Sequence, residues 1–545
     1  MKLFLIFILA QFTILSAQKL TKDEARKLIN EASLISHIKV LSSDEFLGRG
    51  PGHEGEQKTI DYLVGEFKKL GLNPANGNSF IQEMTLAELT PSTNPEIIIT
   101  GKNGSVKLED ERDYVAITRR VTEKVKIDPT EIIFAGYGIN APEYNWNDFA
   151  GIDVKNKIII VMVNDPGYAT KNPNLFNGKA MTYYGRWTYK FEEGAKQGAA
   201  GVFVIHETGA ASYPWEVVKN GRIGPQYVIE DNNKNMSLCK FEGWITYNKA
   251  KEIFKLSGLD LEKELAQAAK PGFKAKSLGL KTSLEIDNKV EHITTRNVIG
   301  IIPGSERPDE YIFYTAHWDH LGFDPSLKGD QIFNGARDNA SGVAGILQIA
   351  EAFTKVNPIP KRSIAILSVT GEEQGLIGSE YYVKNPLVPL NKTIADINLD
   401  AMNIFGRTKD VSIIGSGQSE LDNYVKDAAK ALGKTVKPDP RPESGGYFRS
   451  DHFNFAKVGI PAIYLGGGVE SLTGDRDIAE LARNWNMKHY HKVSDEIDPS
   501  WDLSGMVEDV QMLFDIGYRL SNESAFPKWN AKSEFRSVRE NSFSH

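Results

Sequence analysis

The sequence predicts an α/β protein: a mostly parallel, twisted sheet with helices on both faces, interrupted by a small β-rich insert. Three observations carry that expectation. From Arg296 onward, apolar runs of strand length alternate with helical stretches, the pattern of a parallel sheet joined by crossover helices. Between about 126 and 275 the texture changes to short Ile- and Val-rich runs, EIIFAGYGI, KIIIVMVND and AAGVFVIHE, spaced as in a separate β-rich module. In the last half of the chain, acids and histidines follow one strand after another, where open α/β sheets collect their reactive groups.

The elements follow in order. MKLFLIFILAQFTILSAQ places a lysine before an apolar core from Leu3 to Leu15 and the small pair Ser16 and Ala17, the order of a secretory signal. The run falls short of the ~20 residues that span a bilayer. Removal after residue 17 and a secreted or periplasmic location are expected, with no membrane span left afterwards. TKDEARKLINEASLISHIKVL has helical spacing with Thr21 as N-cap, GRGPGHEGE is a Gly-rich loop, and KTIDYLVGEFKKLGL is an amphipathic helix closed by Gly71. The expected organisation is a signal peptide (1–17), an N-terminal part of the main α/β domain (18–125), the insert (126–275), the rest of the main domain (276–525) and a flexible C-terminal tail (526–545). In the second part of the main domain RNVIGIIPG, YIFYTAHWD, RSIAILSVT, IADINLDAM, DVSIIG and PAIYLGG read as strands, and SGVAGILQIAEAFTK and LSGMVEDVQMLFDIGYRL as helices.

Composition narrows the function classes. A formal net charge of -7 over 545 residues argues against a nucleic-acid partner, whose phosphates select a basic face. Cys239 is the single cysteine, so no intrachain disulfide forms and stability rests on core burial, for which the chain is long enough.

Five short stretches at strand ends carry the chemistry: AHWDH (His317, Asp319, His320), ARDNASG (Asp338), TGEEQG (Glu372, Glu373), NLDAMN (Asp400) and HYHKVSDE (His491). Each alone reads as a cap or a solvated loop; their recurrence after successive strands does not. Zinc accepts imidazole nitrogen and carboxylate oxygen and leaves a position open in catalytic sites. Two such ions need two nitrogen ligands, two terminal carboxylates and one carboxylate that bridges. His317, His491, Glu373, Asp400 and Asp338 make that set, with two Zn2+ per chain expected and other divalent metals able to occupy the same ligands. Asp319, two residues from His317 on the same side of an extended strand, can accept the imidazole's other N–H. Glu372 is left free of metal duty, as a general base must be.

The order His-x-Asp, Asp-Asn-x-Ser-Gly, Glu-Glu, Asp and late Tyr-His resembles the co-catalytic di-zinc aminopeptidase family that includes the bacterial leucyl aminopeptidases, with glutamate carboxypeptidase II, transferrin receptor and glutaminyl cyclase as wider relatives. The resemblance is strong over Arg296 to Ser521 and weak over Gly48 to Gly71. It implies His317 and Asp400 on one metal, Glu373 and His491 on the other, Asp338 between them, Asp319 orienting His317, and Glu372 as base. It also implies that the insert is a protease-associated domain, on the residues Ala135-Gly136-Tyr137-Gly138, KIIIVMVNDPG and EEGAKQGAAGVFVIHE. Some family members use a tyrosine as oxyanion donor at the place of Tyr490; Tyr464 and Tyr447 are its rivals here. Arg449 meets the substrate backbone or pairs with Asp451.

The implied activity is removal of N-terminal residues from peptide substrates, with no nucleic-acid partner and the oligomeric state left open. His320, three residues past His317, reads as a pocket-edge or structural histidine, and Trp318 as core. Alternatives are a carboxypeptidase-like relative, for which Arg337 and Arg449 could hold a substrate carboxylate; a glutaminyl-cyclase-like relative, disfavoured by five ligands where cyclases of this fold use one zinc; and a receptor-like binding protein, disfavoured because every expected ligand is present.

Overall fold

Four parallel strands, Arg362–Val369, Arg307–His317, Thr393–Asn398 and Ala462–Gly466, lie side by side in that order. The computed structural model describes residues 19–543, so the expected leader at 1–17 lies outside the described residues. Antiparallel pairings flank the four: residues 298–302 against the Arg362 strand, and Asp410–Ile413 against Ala462–Gly466. Every residue of Arg362–Val369 and of Thr393–Asn398 is buried, which explains their continuous rather than alternating apolar pattern.

The strand period of two sends neighbouring side chains to opposite faces. Ile312, Tyr314, Ile364 and Ile366 share one core with helices Ser341–Lys355 and Ser504–Asn522. Phe313, Ala365 and Leu367 turn to the other core, with Tyr382 and Phe455 of helices Ile377–Lys384 and His452–Lys457. Both faces are therefore covered, as expected, and all four parallel strands run toward one edge.

The residues of the expected insert add further strands to the same hydrogen-bonded sheet. Lys124–Phe134, Ile158–Met162, Gly201–His206 and Phe241–Thr246 run parallel in that order, with Tyr114–Ile117 antiparallel at the end. The insert's core draws on residues from Ile97 to Ile286, a wider span than 126–275. The reason is the 27-residue strand Lys276–Ile302. It pairs first with Lys124–Phe134, then with Ile81–Thr93, and finally with Arg362–Val369. Strands expected to belong to the N-terminal part of the catalytic domain are thus built into the insert's side.

The C-terminal segment differs from the flexible tail expected for 526–545. Trp529 is buried and donates through Nε1 to Gly459 O at 2.7 Å. Phe535 packs against Trp529, Phe453 and Tyr183, and Glu534 Oε1 accepts from Tyr183 N at 2.8 Å. Two aromatic residues in an otherwise polar stretch thus fasten the tail across the junction between insert and catalytic sheet. Among the described residues no helix is long and apolar enough to cross a membrane. Trp529→Ala is expected to destabilise the fold by about 3–5 kcal/mol, the cost of deleting a buried large aromatic; the midpoint of urea unfolding measures it, and an unchanged midpoint contradicts the packing role.

Candidate metal centre

His317 ends its strand with a side chain almost wholly out of solvent. Asp338 enters from the loop before helix Ser341–Lys355. That loop turns at Gly335, which takes φ +55°, and a Cβ there would stand 2.2 Å from Asp338 O, so no other residue fits. Asp400 follows the Thr393–Asn398 strand, Glu372 and Glu373 follow Arg362–Val369, and His491 follows helix Ile478–His489.

These elements bring all five expected ligands together. Asp338 stands between two imidazoles, its Oδ1 3.3 Å from His317 Nε2 and its Oδ2 3.4 Å from His491 Nε2. Asp400 Oδ1 lies 3.4 Å from the same His317 nitrogen, and Glu373 Oε2 3.0 Å from the same His491 nitrogen. Donors held ~2.0–2.2 Å from a tetrahedral zinc stand roughly 3.3–3.6 Å apart; the Asp338 and Asp400 spacings fall in that range and the Glu373–His491 spacing lies slightly below it. His491 Nε2 is shielded from solvent yet makes no hydrogen bond, as expected where a nitrogen and two oxygens face a common third atom. The donor set, its spacing and this orphaned nitrogen fit a pair of divalent cations.

The charge balance points the same way. Two like charges ~4 Å apart repel by about 4 kcal/mol at an effective dielectric of ~20, and several acids share this cleft. Burial alone would lower the His317 imidazole, but Glu372 and Asp400 hold it well above its ordinary range. Burial likewise opposes the rise of His491, which Glu373 and Asp338 push up to about 10. Burial, and then Asp400, Glu373 and Asp451, raise Glu372 well above the usual carboxylate range against the pull of His317. The protein alone supplies too little positive charge for its acids.

Asp319 is placed differently from the expectation. Its main-chain carbonyl, not its carboxylate, faces His317 Nδ1 at 3.1 Å, and Oδ1 stands off at 3.7 Å. The carboxylate accepts instead from Glu372 N at 3.2 Å and Glu373 N at 3.4 Å. The strand ends at His317, so two-residue alternation no longer aims Asp319. It still orients the site, through the Glu372–Glu373 turn. The Glu372 side chain makes no hydrogen bond among the described residues.

Three supports escaped the sequence reading. Asp495 accepts from Arg337 N at 2.9 Å and Asp338 N at 3.1 Å, pinning the bridging loop. Ser450 Oγ donates to Asp400 Oδ2 at 2.6 Å. Arg49, fully buried, spends its guanidinium on the carbonyls of Leu41, Trp318, Asn334 and Gly335; the available signal was an arginine inside the Gly-rich loop GRGPG. Asn339 accepts from Gly342 N at 2.8 Å at the helix start.

A cavity of about 450 Å³ opens beside Asp400, lined among others by Tyr464, Tyr490, Arg337, Arg449 and Trp485. The Tyr490 ring stacks on His491 with centroids 3.8 Å apart and is half exposed. Tyr464 also reaches the cavity, with its hydroxyl 3.4 Å from Asp400 O. Tyr447 is buried and donates to Ala462 O at 3.2 Å, which removes it from the contest. Arg337 is committed to the carbonyls of Ala401 and Met402 and lies over Trp485. Arg449 donates to Ser444 O and lies over Tyr213, while Asp451 takes its hydrogen bond from Ser379; the two are not paired.

Residues 297–514 match the model of Peptidase family M28. The chain is 32% identical over 182 residues to Aminopeptidase NAALADL1 of Mus musculus, covering 29% of this chain and 23% of that protein. It is 30% identical over 213 residues to Probable glutamate carboxypeptidase VP8 of Zea mays, covering 36% of this chain and 27% of that protein. It thus spans about a quarter of the length of these curated relatives. Among solved structures, the aminopeptidase from Aneurinibacillus sp. strain AM-1 shares the fold, with a TM-score of 0.50, 18% identity, and coverage of 93% of this chain and 97% of that one.

A ligand imidazole must be neutral, whereas the surrounding acids push both imidazoles toward the protonated form. Zinc uptake is therefore expected to release protons. Affinity should accordingly weaken as pH falls. Calorimetric titration in buffers of different ionisation enthalpy reads the release; heats independent of buffer contradict the assignment.

Proposed function

With residues 297–514 belonging to Peptidase family M28, we propose that this protein is an exported, two-metal aminopeptidase that removes N-terminal residues from peptides. The observation that carries the reading is Asp338 set between His317 and His491, with Asp400 and Glu373 closing either side. His317, Asp400 and Asp338 would hold one zinc; His491, Glu373 and Asp338 the other. Export rests on the apolar leader, and the protease-associated reading of the insert on its sequence.

Bound zinc supplies Lewis acidity that makes water a competent nucleophile near neutral pH. Glu372 takes the proton of the attacking water on its carboxylate and returns it to the leaving amine nitrogen. Its freedom from hydrogen bonds leaves it mobile enough for both transfers. Positive charge at the five ligands offsets the acid crowding around Glu372, so that it can act as a base. Asp319 holds the main-chain amides of Glu372 and Glu373 and so fixes where that base stands. Tyr490, beside His491 on the cavity wall, donates its phenolic proton to the carbonyl oxygen as negative charge develops there. The free amino group of the substrate lies among the remaining acids, which restricts cleavage to the terminal residue.

Glu372→Gln is expected to keep zinc content while lowering kcat by about 10²–10⁴-fold, the usual range for a lost general base. Wild-type-like turnover assigns the base elsewhere. A panel of unblocked, N-acetylated and C-terminally amidated peptides tests direction: unblocked and amidated substrates should be cleaved and acetylated ones spared. The reverse pattern establishes the carboxypeptidase-like alternative.

A further inference from the structure

His320 stands outside the five ligands, yet it is the most enclosed imidazole of the cleft, with no exposed side-chain surface. Its Nδ1 lies 2.7 Å from Glu373 Oε1. The ring is lodged against the bridging loop, where a Cβ on Gly335 would meet its Cγ at 2.6 Å. Its main-chain N–H points to the carbonyl of the buried Arg49. The ring is therefore held on one side by backbone and on the other by Glu373.

We infer that His320 is a positioning residue for the second metal: it donates a hydrogen bond from Nδ1 to Glu373 Oε1 and thereby presents Oε2 to the cation. This rests on the two-metal reading given above. Glu373 has two oxygens with separate partners, Oε1 on His320 and Oε2 3.0 Å from His491 Nε2. A carboxylate that serves as a metal ligand is ionised and offers only lone pairs, so the proton shared with His320 must sit on Nδ1. A protonated nitrogen cannot also ligate. His491 turns one unbonded nitrogen toward both Asp338 and Glu373, the arrangement of a ligand, whereas the unbonded nitrogen of His320, Nε2, is not the one that faces Glu373. Atoms of His320, Asp338 and Glu373 also lie within 4.8 Å of one another, which makes direct coordination by His320 the rival to be tested.

The variants His320→Ala, His320→Asn and His320→Gln separate these roles. An asparagine amide places an N–H near the position of Nδ1; a glutamine amide reaches toward that of Nε2. Zinc stoichiometry and affinity are read by competition with a chromophoric chelator, with thermal melting of the metal-free proteins as a folding control. Wild-type protein should bind two ions. His320→Ala should weaken one of them by about 10–100-fold, the range for lost partners of a ligand, and leave the other unchanged. His320→Asn should recover to within a few-fold of wild type, and His320→Gln should not. Unchanged affinities in His320→Ala overturn the inference. So does complete loss of one ion in both Ala and Asn, which makes His320 a ligand. If His320→Ala does not fold, retention by Gln with loss by Asn overturns it equally. A folded wild-type chain that binds no divalent cation overturns the two-metal reading itself, a result distinct from any variant effect.

Discussion

Negative charge confined at the ends of four buried parallel strands is the condition to which the remaining structure is fitted. Asp338, Glu372, Glu373 and Asp400 converge from strand ends and loops, with Asp338 buried and the other three only partly exposed. Such a cluster folds only where cations share it or where its members take up protons. The raised imidazoles and the raised Glu372 are the protein's own part of that compromise. On the proposed reading the same crowding would couple metal uptake to proton loss and prepare Glu372 for proton transfer.

Around the cluster the chain spends polar groups on direction rather than on added charge. Asp495 grips two consecutive amides of the bridging loop, Ser450 fixes one oxygen of Asp400, and Asp319 fixes the Glu372–Glu373 turn. Arg49 donates only to carbonyls, so its positive charge is unpaired locally and acts on the acids as a group. Burial pulls this guanidinium down to about 10, against the opposing influence of Asp495, Asp319, Asp338 and Glu373. Breaking such a residue leaves several carbonyls unsatisfied at once, each a penalty of about 1–3 kcal/mol.

How much of this was legible depended on range. Glu372, Glu373 and Asp400 could be read because each sits just past a strand whose apolar run marks its own end, and His317 because it ends one; Asp338, in a loop before a helix, and His491, after a helix, could be read only from their motifs. The parallel sheet could be read from the same apolar runs. Where the strand stops, the two-residue period stops too, so the Asp319 carboxylate turns to the Glu372 and Glu373 amides and only its carbonyl meets His317. Apart from the Leu41 carbonyl, the groups that Arg49 and Asp495 hold lie more than a hundred residues away, and no local pattern announces such a partner. The insert was recognisable by texture, but its limits were not, since Lys276–Ile302 changes partners twice without any break in its own sequence. Trp529 and Phe535 were hidden by polar neighbours.

That shared strand has a consequence for the molecule as an object. A single ribbon, 27 residues long, forms a rib of the insert at one end and, between Asn73–Pro74 and Arg362–Val369, a strand of the catalytic sheet at the other. No scissor point along it frees either half without stripping a hydrogen-bonded strand from the sheet. Descendants of this chain can exchange loops at the insert's far side, but they inherit the two halves as one piece.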